Sequence, residues 1–211
     1  MGKMEEVREL VVKGKAKLIA AATQEALDEG NAAAAVLDIM IDAMGEVGEK
    51  FKNNEIFVPE MLIAARAMKK GVEVLKPELA AAGGASSNGK IILGTVAGDL
   101  HDIGKNLVGL MYESAGFEVI DLGVDVPKEK FVETYRANPD TKIIALSALL
   151  TTTMPAMKEA AALLNEQDFR KDIKIMVGGA PITEEFAKSI GADAYTPDAA
   201  SAAQKAKELV A

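Results

Sequence analysis

The first part of the chain has a helical pattern of apolar residues. Between Met4 and about Leu79, apolar residues recur at three- and four-residue spacing with almost no β-branched runs, which is typical of amphipathic helices. Short connections between the helical stretches favour a small antiparallel bundle. The predicted helices cover residues 5–12, 15–29 (followed by Gly30), 32–51 and 59–75, the last opening at Pro59 and stopping before Pro77.

After Lys90 the pattern changes to short apolar runs, each followed by an amphipathic stretch. This alternation predicts β–α units. Five such units indicate an α/β domain with a five-stranded, parallel, doubly wound sheet of the Rossmann-like or flavodoxin-like kind. The predicted strands are 91–96, 118–122, 142–147, 173–177 and 194–195. The predicted helices begin near Gly104, Pro127, Thr153, Thr183 and Asp198.

The two patterns are separated by a segment rich in alanine, glycine and serine, from Ala80 to Gly89. Small residues of this kind are typical of flexible connections. The sequence therefore predicts a helical cap domain at 1–80, a linker at 81–89 and an α/β domain at 90–211.

Composition narrows the possible functions. The 211 residues carry a formal net charge of -8, and no basic stretch long enough to follow a phosphate backbone is present, so we expect no nucleic-acid partner. The charged start of the chain is unlike a signal peptide or a membrane span, which predicts a cytoplasmic protein with no membrane partner. With no cysteine and one histidine, the chain offers no Cys-type or multi-histidine metal site. A metal would arrive inside a cofactor.

The candidate chemistry lies where the predicted strands end, which is where doubly wound sheets bind ligands. The only histidine, His101, follows the first strand, two residues after Asp99. A metal-bound imidazole commonly donates its second N–H to a carboxylate, so Asp99 is its natural partner, and Thr153 is the hydroxyl best placed to extend this relay. The diglycine Gly178–Gly179 follows the fourth strand and would let the backbone approach a bulky group.

Each of these elements also has an ordinary explanation. A lone histidine after a strand is often a surface residue, and Asp99 and Asp102 could simply favour the start of the next helix. Threonines before Pro155 are common at a helix start, and a diglycine is common in α/β turns. Only the order and spacing of the elements together indicate a binding site.

Three motifs in this order resemble the signature of the cobalamin-binding module of methionine synthase, of corrinoid carriers in methanol, methylamine and methoxy-aromatic methyltransferase systems, and of some mutases. They are Asp99–Gly104 (D-L-H-D-I-G), Ser147–Leu149 (S-A-L) and Gly178–Gly179, separated by 42 and 28 residues. The segment Ile56–Met61 resembles the entry to the last helix of the cap that precedes this module in methyl-transferring members. The resemblance therefore covers essentially the whole chain.

The resemblance implies cobalamin bound without its dimethylbenzimidazole ligand, with His101 as the lower axial ligand and only metal ligand. Ser147 would contact the nucleotide base, Thr151 the corrin, and the diglycine the slot for the nucleotide tail. Phe57 and Met61 would cover the upper face of the corrin, although both are equally well explained as helical core. The implied cofactor-binding residues are Gly98, Asp99, Leu100, His101, Asp102, Ile103, Gly104, Ser147, Leu149, Thr151, Thr153, Gly178, Gly179, Ala199, Phe57 and Met61.

The implied function is a methyl carrier, a non-catalytic or co-catalytic corrinoid subunit whose cofactor alternates between cob(I)alamin and methylcobalamin. Its implied partners are a substrate-specific corrinoid methyltransferase, a second methyltransferase with a folate, pterin or thiol acceptor, and a reductive activase. The methyl donor is not encoded in any pattern of the sequence.

Other readings stay open at this point. A cobalamin-responsive sensor or regulatory protein would share the module, and so would a detached mutase subunit, although a helical bundle before the module favours methyl transfer. A flavodoxin-like or receiver-like domain would share the sheet. The first strand is not preceded by an acidic pair, which disfavours a receiver, and it is not followed by G-x-G-x-x-G, which disfavours a dinucleotide site.

Overall fold

The structure is a computed structural model, and it describes residues 2–81 and 88–211. Of the predicted linker at 81–89, residues 82–87 lie outside the described residues, so its extent stays a prediction. Within the described ranges, no helix is long and apolar enough to cross a membrane. The chain forms two compact units, here called the helical unit (Met1–Ser87 with Glu113–Gly116) and the sheet unit (Asn88–Tyr112 with Phe117–Ala211).

The helical unit contains helices at the four places where the pattern predicts them. Their apolar faces meet in a core that includes Val7, Ile19, Met40, Met61 and Met68, each at most 1% exposed. Burial of these faces stabilises the unit more than intrinsic helix propensity does. The helices are α1 (Lys3–Val12), α2 (Ile19–Asp28), α3 (Ala33–Lys52) and α4 (Val58–Ala81).

The second helix begins later than the sequence pattern predicts, at Ile19 rather than at residue 15. Gly14 follows α1 in the left-handed conformation (φ 63°). Its N–H donates to the Val11 carbonyl and the Lys15 N–H donates to the Leu10 carbonyl, at 2.9 and 2.8 Å. This is the Schellman arrangement that ends helices, and it leaves residues 15–18 in a turn.

The fourth helix continues through Pro77, whereas the sequence predicts that it stops before this residue. Proline removes one helical hydrogen bond, the one to the carbonyl four residues earlier. Pro77 and Glu73, whose carbonyl loses that partner, are both exposed. Because water can solvate the free carbonyl, the helix is not forced to end there.

The sheet unit has the predicted alternation of five strands and helices. The strands are β1 (Lys90–Thr95), β2 (Glu118–Asp121), β3 (Thr141–Ser147), β4 (Lys174–Gly178) and β5 (Ala194–Tyr195). The helices are α5 (Ile103–Ser114), α6 (Lys128–Ala137), α7 (Met154–Asn165), α8 (Glu184–Ser189) and α9 (Ala199–Val210), with short 3-10 turns at Thr151–Thr153 and Arg170–Asp172.

All strand pairs in this sheet are parallel, and the order is β2-β1-β3-β4-β5. Strand order therefore reverses between β1 and β3, which is the switch point where such sheets bind ligands. The central strands are apolar on both faces, as expected for a parallel sheet covered by helices: Ile91, Ile92, Ile143 and Ile144 are fully buried. The confirmed α/β fold thus brings the ends of β1 and β3 side by side.

Candidate functional site

The loop between β1 and α5 turns sharply directly after the strand. The Asp99 N–H donates to the Val96 carbonyl at 3.1 Å, and Gly98 within this turn has φ 79°, a conformation that glycine adopts without steric cost. The turn places the Asp99 side chain in the interior, with 0% of the residue exposed. A buried carboxylate needs hydrogen-bond donors around it.

Asp99 has donors on both carboxylate oxygens. Oδ1 accepts the His101 ring Nδ1–H at 2.8 Å and the His101 backbone N–H at 3.1 Å. Oδ2 accepts the backbone N–H groups of Leu149 and Leu150, at 2.7 and 3.3 Å. The Thr153 hydroxyl lies 2.7 Å from Oδ2 and 2.9 Å from the Leu150 carbonyl, so its single proton is shared between two acceptors. The carboxylate therefore joins the loop after β1 to the loop after β3.

These contacts keep Asp99 ionised. Burial by itself raises the pKa of a carboxyl group, but the Leu149 N–H, the Thr153 hydroxyl and the two His101 donors outweigh burial and hold the pKa of Asp99 well below its usual range. Since an ionised carboxylate only accepts hydrogen bonds, the Thr153 hydroxyl and the ring Nδ1 both act as donors to it.

The imidazole of His101 is held on one side and open on the other. Its side chain is 49% exposed although its Asp99 partner is fully buried. With the proton of a neutral ring on Nδ1, the lone pair lies on Nε2, and this assignment follows from the ionised partner. The ring thus has the tautomer and orientation required of a metal ligand that acts through Nε2. The predicted relay of His101, Asp99 and Thr153 is present as contacts.

Two residues that the sequence motifs do not include also hold this loop. The hydroxyl of Thr95, which is fully buried at the end of β1, donates to the His101 carbonyl at 3.0 Å. The Asp125 carboxylate accepts the Gly98 N–H at 2.7 Å. A threonine closing an otherwise apolar strand was a visible signal, whereas the role of Asp125 depends on which strand lies beside β1.

The S-x-L and diglycine motifs lie side by side on neighbouring strands. Ser147 and Gly178 are register partners at the ends of β3 and β4. Gly179 has φ 128°, and a Cβ there would overlap the Ala148 carbonyl oxygen, whereas a Cβ at Gly178 would make an ordinary 3.5 Å contact with the Thr196 carbonyl oxygen. Of the two glycines, Gly179 is the one that its surroundings require.

Exposed apolar side chains lie close to His101 in the sequence and just after the end of the neighbouring strand β3. Leu100 and Ile103 are 72% and 85% exposed, and Leu149 is 43% exposed. Such a group of apolar side chains at a strand edge is typical of a binding surface. The other predicted positions differ in access: Asp102, Gly104 and Thr151 are exposed, and Ala199 is buried at the start of α9.

The two predicted residues of the helical unit also differ in access. Phe57, just before α4, is 65% exposed, whereas Met61 is fully buried. Burial of Met61 favours the explanation that it belongs to the helical core. The role of both residues over a corrin stays a prediction.

The sheet-edge residues fit a corrinoid. A half-exposed imidazole with a fixed tautomer can supply one axial nitrogen to a metal that brings its other ligands with it. The exposed leucine and isoleucine side chains suit the apolar face of a macrocycle. This donor set therefore suits a metal held in a cofactor.

Comparison with known families supports this fit in both units. Residues 89–205 match a family model described as a B12 binding domain. Residues 4–76 match a second model with the same description. Together the two models account for most of the helical unit and nearly all of the sheet unit.

Similar proteins and solved structures carry names that refer to corrinoid or cobalamin. Dimethylamine corrinoid protein 1 of Methanosarcina acetivorans is 43% identical, and the alignment covers 100% of both chains. A cobalamin-binding protein of Desulfitobacterium hafniense is 30% identical, with a TM-score of 0.82 over 99% of this chain and 98% of its own. The methanol:cobalamin methyltransferase complex of Methanosarcina barkeri contains a chain that is 27% identical, with a TM-score of 0.84 over 99% of this chain and 79% of that one.

The likeness extends from the sequence to the fold and includes both units. Cobalamin or a related corrinoid is therefore the cofactor that the half-exposed imidazole and its surroundings fit. The chain belongs to the B12-binding corrinoid proteins of methyltransferase systems.

Proposed function

We propose that this chain is a methyl carrier that binds cobalamin base-off with His101 as the lower axial ligand. It would receive a methyl group while docked on a substrate-specific methyltransferase and deliver it to a second methyltransferase with a folate, pterin or thiol acceptor. A reductive activase would restore the cofactor after oxidation. When bound, the corrinoid supplies a cobalt centre that accepts and releases the methyl group.

The observation that carries the proposal is the geometry of His101. A histidine with only a surface role does not need a fully buried carboxylate on its Nδ1, nor a hydroxyl and two backbone N–H groups on that carboxylate. These contacts fix the ring while leaving Nε2 for a ligand. Asp99 orients the imidazole, and Thr153 keeps the carboxylate in place.

The neighbouring strands supply the rest of the proposed site. Ser147 and Gly178 lie at the same level at the ends of β3 and β4, and Gly179 keeps the backbone there free of a side chain. We assign this edge to the nucleotide tail, with Ser147 contacting the nucleotide base. Leu100, Ile103 and Leu149 would contact the lower side of the macrocycle through their exposed apolar surface.

The names of the relatives suggest a donor class. Of the relatives that match, the one 43% identical over its full length is named for dimethylamine, which makes a methylated amine the first donor to test. The matching chain in a methanol:cobalamin methyltransferase complex supports direct docking on a methyltransferase subunit.

The axial ligand can be identified directly because His101 is the only histidine. Protein labelled with 15N-histidine and loaded with cob(II)alamin should show the electron-spin splitting of an axial 15N nucleus, and unlabelled protein that of 14N. His101→Ala should keep a folded apo-protein yet lose this splitting. If labelled and unlabelled protein give the same splitting, His101 is not the axial ligand.

The carrier role requires a partner. With cob(I)alamin-loaded protein and a dimethylamine-specific methyltransferase, we expect dimethylamine-dependent methylation of the carrier. The change in its visible absorption spectrum measures this methylation. Methanol and monomethylamine enzymes serve as matched comparisons. If the loaded carrier shows the nitrogen splitting from His101 but none of these partners methylates it, the carrier role is wrong. The proposed binding mode would still stand.

A further inference from the structure

The loop between β2 and α6 lies along the end of β1 and is bonded to it at several points. The Leu122 N–H donates to the Leu93 carbonyl at 2.8 Å, and the Thr95 N–H donates to the Gly123 carbonyl at 3.0 Å. The Val126 N–H donates to the Thr95 carbonyl at 3.0 Å. This loop, residues 122–127, therefore continues the pairing with β1 past the end of β2.

Asp125 connects this loop to the turn that carries the proposed ligand. Its carboxylate accepts the Gly98 N–H at 2.7 Å, and its own N–H donates to the Asp99 carbonyl at 2.9 Å. One residue thus bonds to the peptide group before Gly98 and to the peptide group after Asp99, so it spans both residues of the turn. The contact fixes the backbone from which both Asp99 and His101 project.

The backbone of Asp125 indicates that this contact is specific. Asp125 has φ 52°, in the left-handed region that costs a non-glycine residue roughly 1 kcal/mol. Of the residues that the structure describes, only Asn54 shares this feature among non-glycines. The two hydrogen bonds to Gly98 and Asp99 are the structural compensation for this conformation.

The other end of the loop is anchored by a buried cation. The Lys105 side chain is 1% exposed and donates from Nζ to Asp121 Oδ2 and to Asn106 Oδ1. Asp121 Oδ1 in turn accepts the Gly123 N–H at 2.8 Å. The loop is thus held at its start by the first turn of α5 and at its end by Asp125.

We infer that Asp125 is a positioning residue for the axial ligand: it holds the turn in the one conformation from which His101 can reach the cobalt. This inference rests on the proposed axial role of His101. In this role Asp125 neither contacts the cofactor nor transfers a proton.

The test compares Asp125→Gly with Asp125→Asn. Both residues adopt φ near 50° readily, so neither variant adds backbone strain. Asparagine keeps a side-chain oxygen that can accept the Gly98 N–H, and glycine removes it. The unfolding of both apo-proteins by urea reports any general loss of stability.

The readout is the share of bound cob(II)alamin whose electron-spin spectrum shows axial nitrogen splitting from 15N-labelled His101. We expect Asp125→Gly to lower the ratio of nitrogen-ligated to unligated cofactor by about 3- to 10-fold, the size of effect that one lost hydrogen bond gives. Asp125→Asn should stay close to the wild type. Amide hydrogen exchange at His101 in the apo-protein should rise in the glycine variant only.

The outcomes separate this inference from the proposed function. If Asp125→Gly equals the wild type while His101→Ala abolishes the splitting, the positioning role is wrong and the axial role stands. Equal losses in the glycine and asparagine variants would also overturn the positioning role, because the acceptor oxygen would then not matter. If labelled and unlabelled wild-type protein give the same splitting, His101 is not the axial ligand and the proposed function is wrong.

Discussion

The helical unit and the sheet unit each present an exposed side chain next to a fully buried one, but they hold it differently. At the start of α4, Phe57 is 65% exposed, and Met61, four residues later, is buried in an apolar core. After β1, His101 is half exposed, and Asp99, two residues earlier, is buried among N–H and O–H donors.

This difference has a physical consequence. Apolar packing has no preferred direction, so a core accepts side chains of similar volume after small shifts. Hydrogen bonds to a buried carboxylate need each donor in one place, and any donor left without a partner costs free energy. We expect the helical unit to tolerate conservative changes that the sheet edge does not tolerate.

The largest difference should appear between two glycines. A Cβ at Gly71 in α4 would come within 2.6 Å of the flexible end of Met40, which can move aside, and 3.2 Å from Ile19 Cγ1, which must shift by a few tenths of an ångström. A Cβ at Gly179 would instead overlap the Ala148 backbone at φ 128°. Gly179→Ala should lower the free energy of unfolding by at least about 4 kcal/mol, and Gly71→Ala should change it by less than about 1 kcal/mol. Urea unfolding of the apo-proteins measures both.

Substitution of Gly179 should also affect cobalamin binding. Gly179→Leu should abolish tight cobalamin binding, and Gly178→Ala, whose Cβ has room, should retain it. Wild-type affinity in Gly179→Leu would show that the nucleotide tail lies elsewhere.

The next effect compares near-isosteric changes at the two buried residues. In Asp99→Asn, an NH₂ group replaces one of the two oxygens and meets N–H or O–H donors instead of acceptors. We therefore expect a loss of about 3 kcal/mol in the free energy of unfolding. Met61→Leu keeps the volume and should cost less than about 1.5 kcal/mol. Thermal and urea unfolding measure the pair, and a smaller loss at Asp99 than at Met61 would contradict the comparison.

The smallest effect compares two buried threonines. Thr23 donates to the Ile19 carbonyl of its own helix at 2.7 Å, and that carbonyl also lies at helical spacing from the Thr23 N–H, so Thr23→Val should leave stability nearly unchanged. Thr153→Val removes a donor from Asp99 and should cost about 1 kcal/mol. Thr153→Ser, which keeps the hydroxyl, is the control. Equal stability of the valine and serine variants at residue 153 would show that the hydroxyl adds nothing.

The sequence predicts the fold well because both of its periodic signals are strong. Even the two-residue strand Ala194–Tyr195 is recognised, since it falls where the β–α alternation requires a fifth strand. The His101–Asp99 contact is also predictable, because two residues of separation place both side chains in one loop. The continuation of α4 through Pro77 is not, because it depends on whether water reaches the carbonyl that proline leaves free.

The contacts that depend on neighbouring strands are the ones that sequence patterns miss. The Leu149 and Leu150 N–H groups reach Asp99 only because β3 lies beside β1, and side-chain types say nothing of backbone donors. The contact of Asp125 cannot be predicted from the sequence either. Nothing in the sequence shows that this exposed loop aspartate has a left-handed φ, from which its carboxylate bonds to Gly98.

The long sequence separation inside the Asp99 network bears on how the protein is made. The donors from Leu149 and Thr153 lie 50 and 54 residues beyond the carboxylate they satisfy. While the chain is still being synthesised, an emerging segment that ends before β3 has no means of burying that charge. The carboxylate therefore gains its full set of donors only after β3 and the turn at Thr151–Thr153 have left the ribosome, and we expect corrinoid loading through His101 to follow translation of that part.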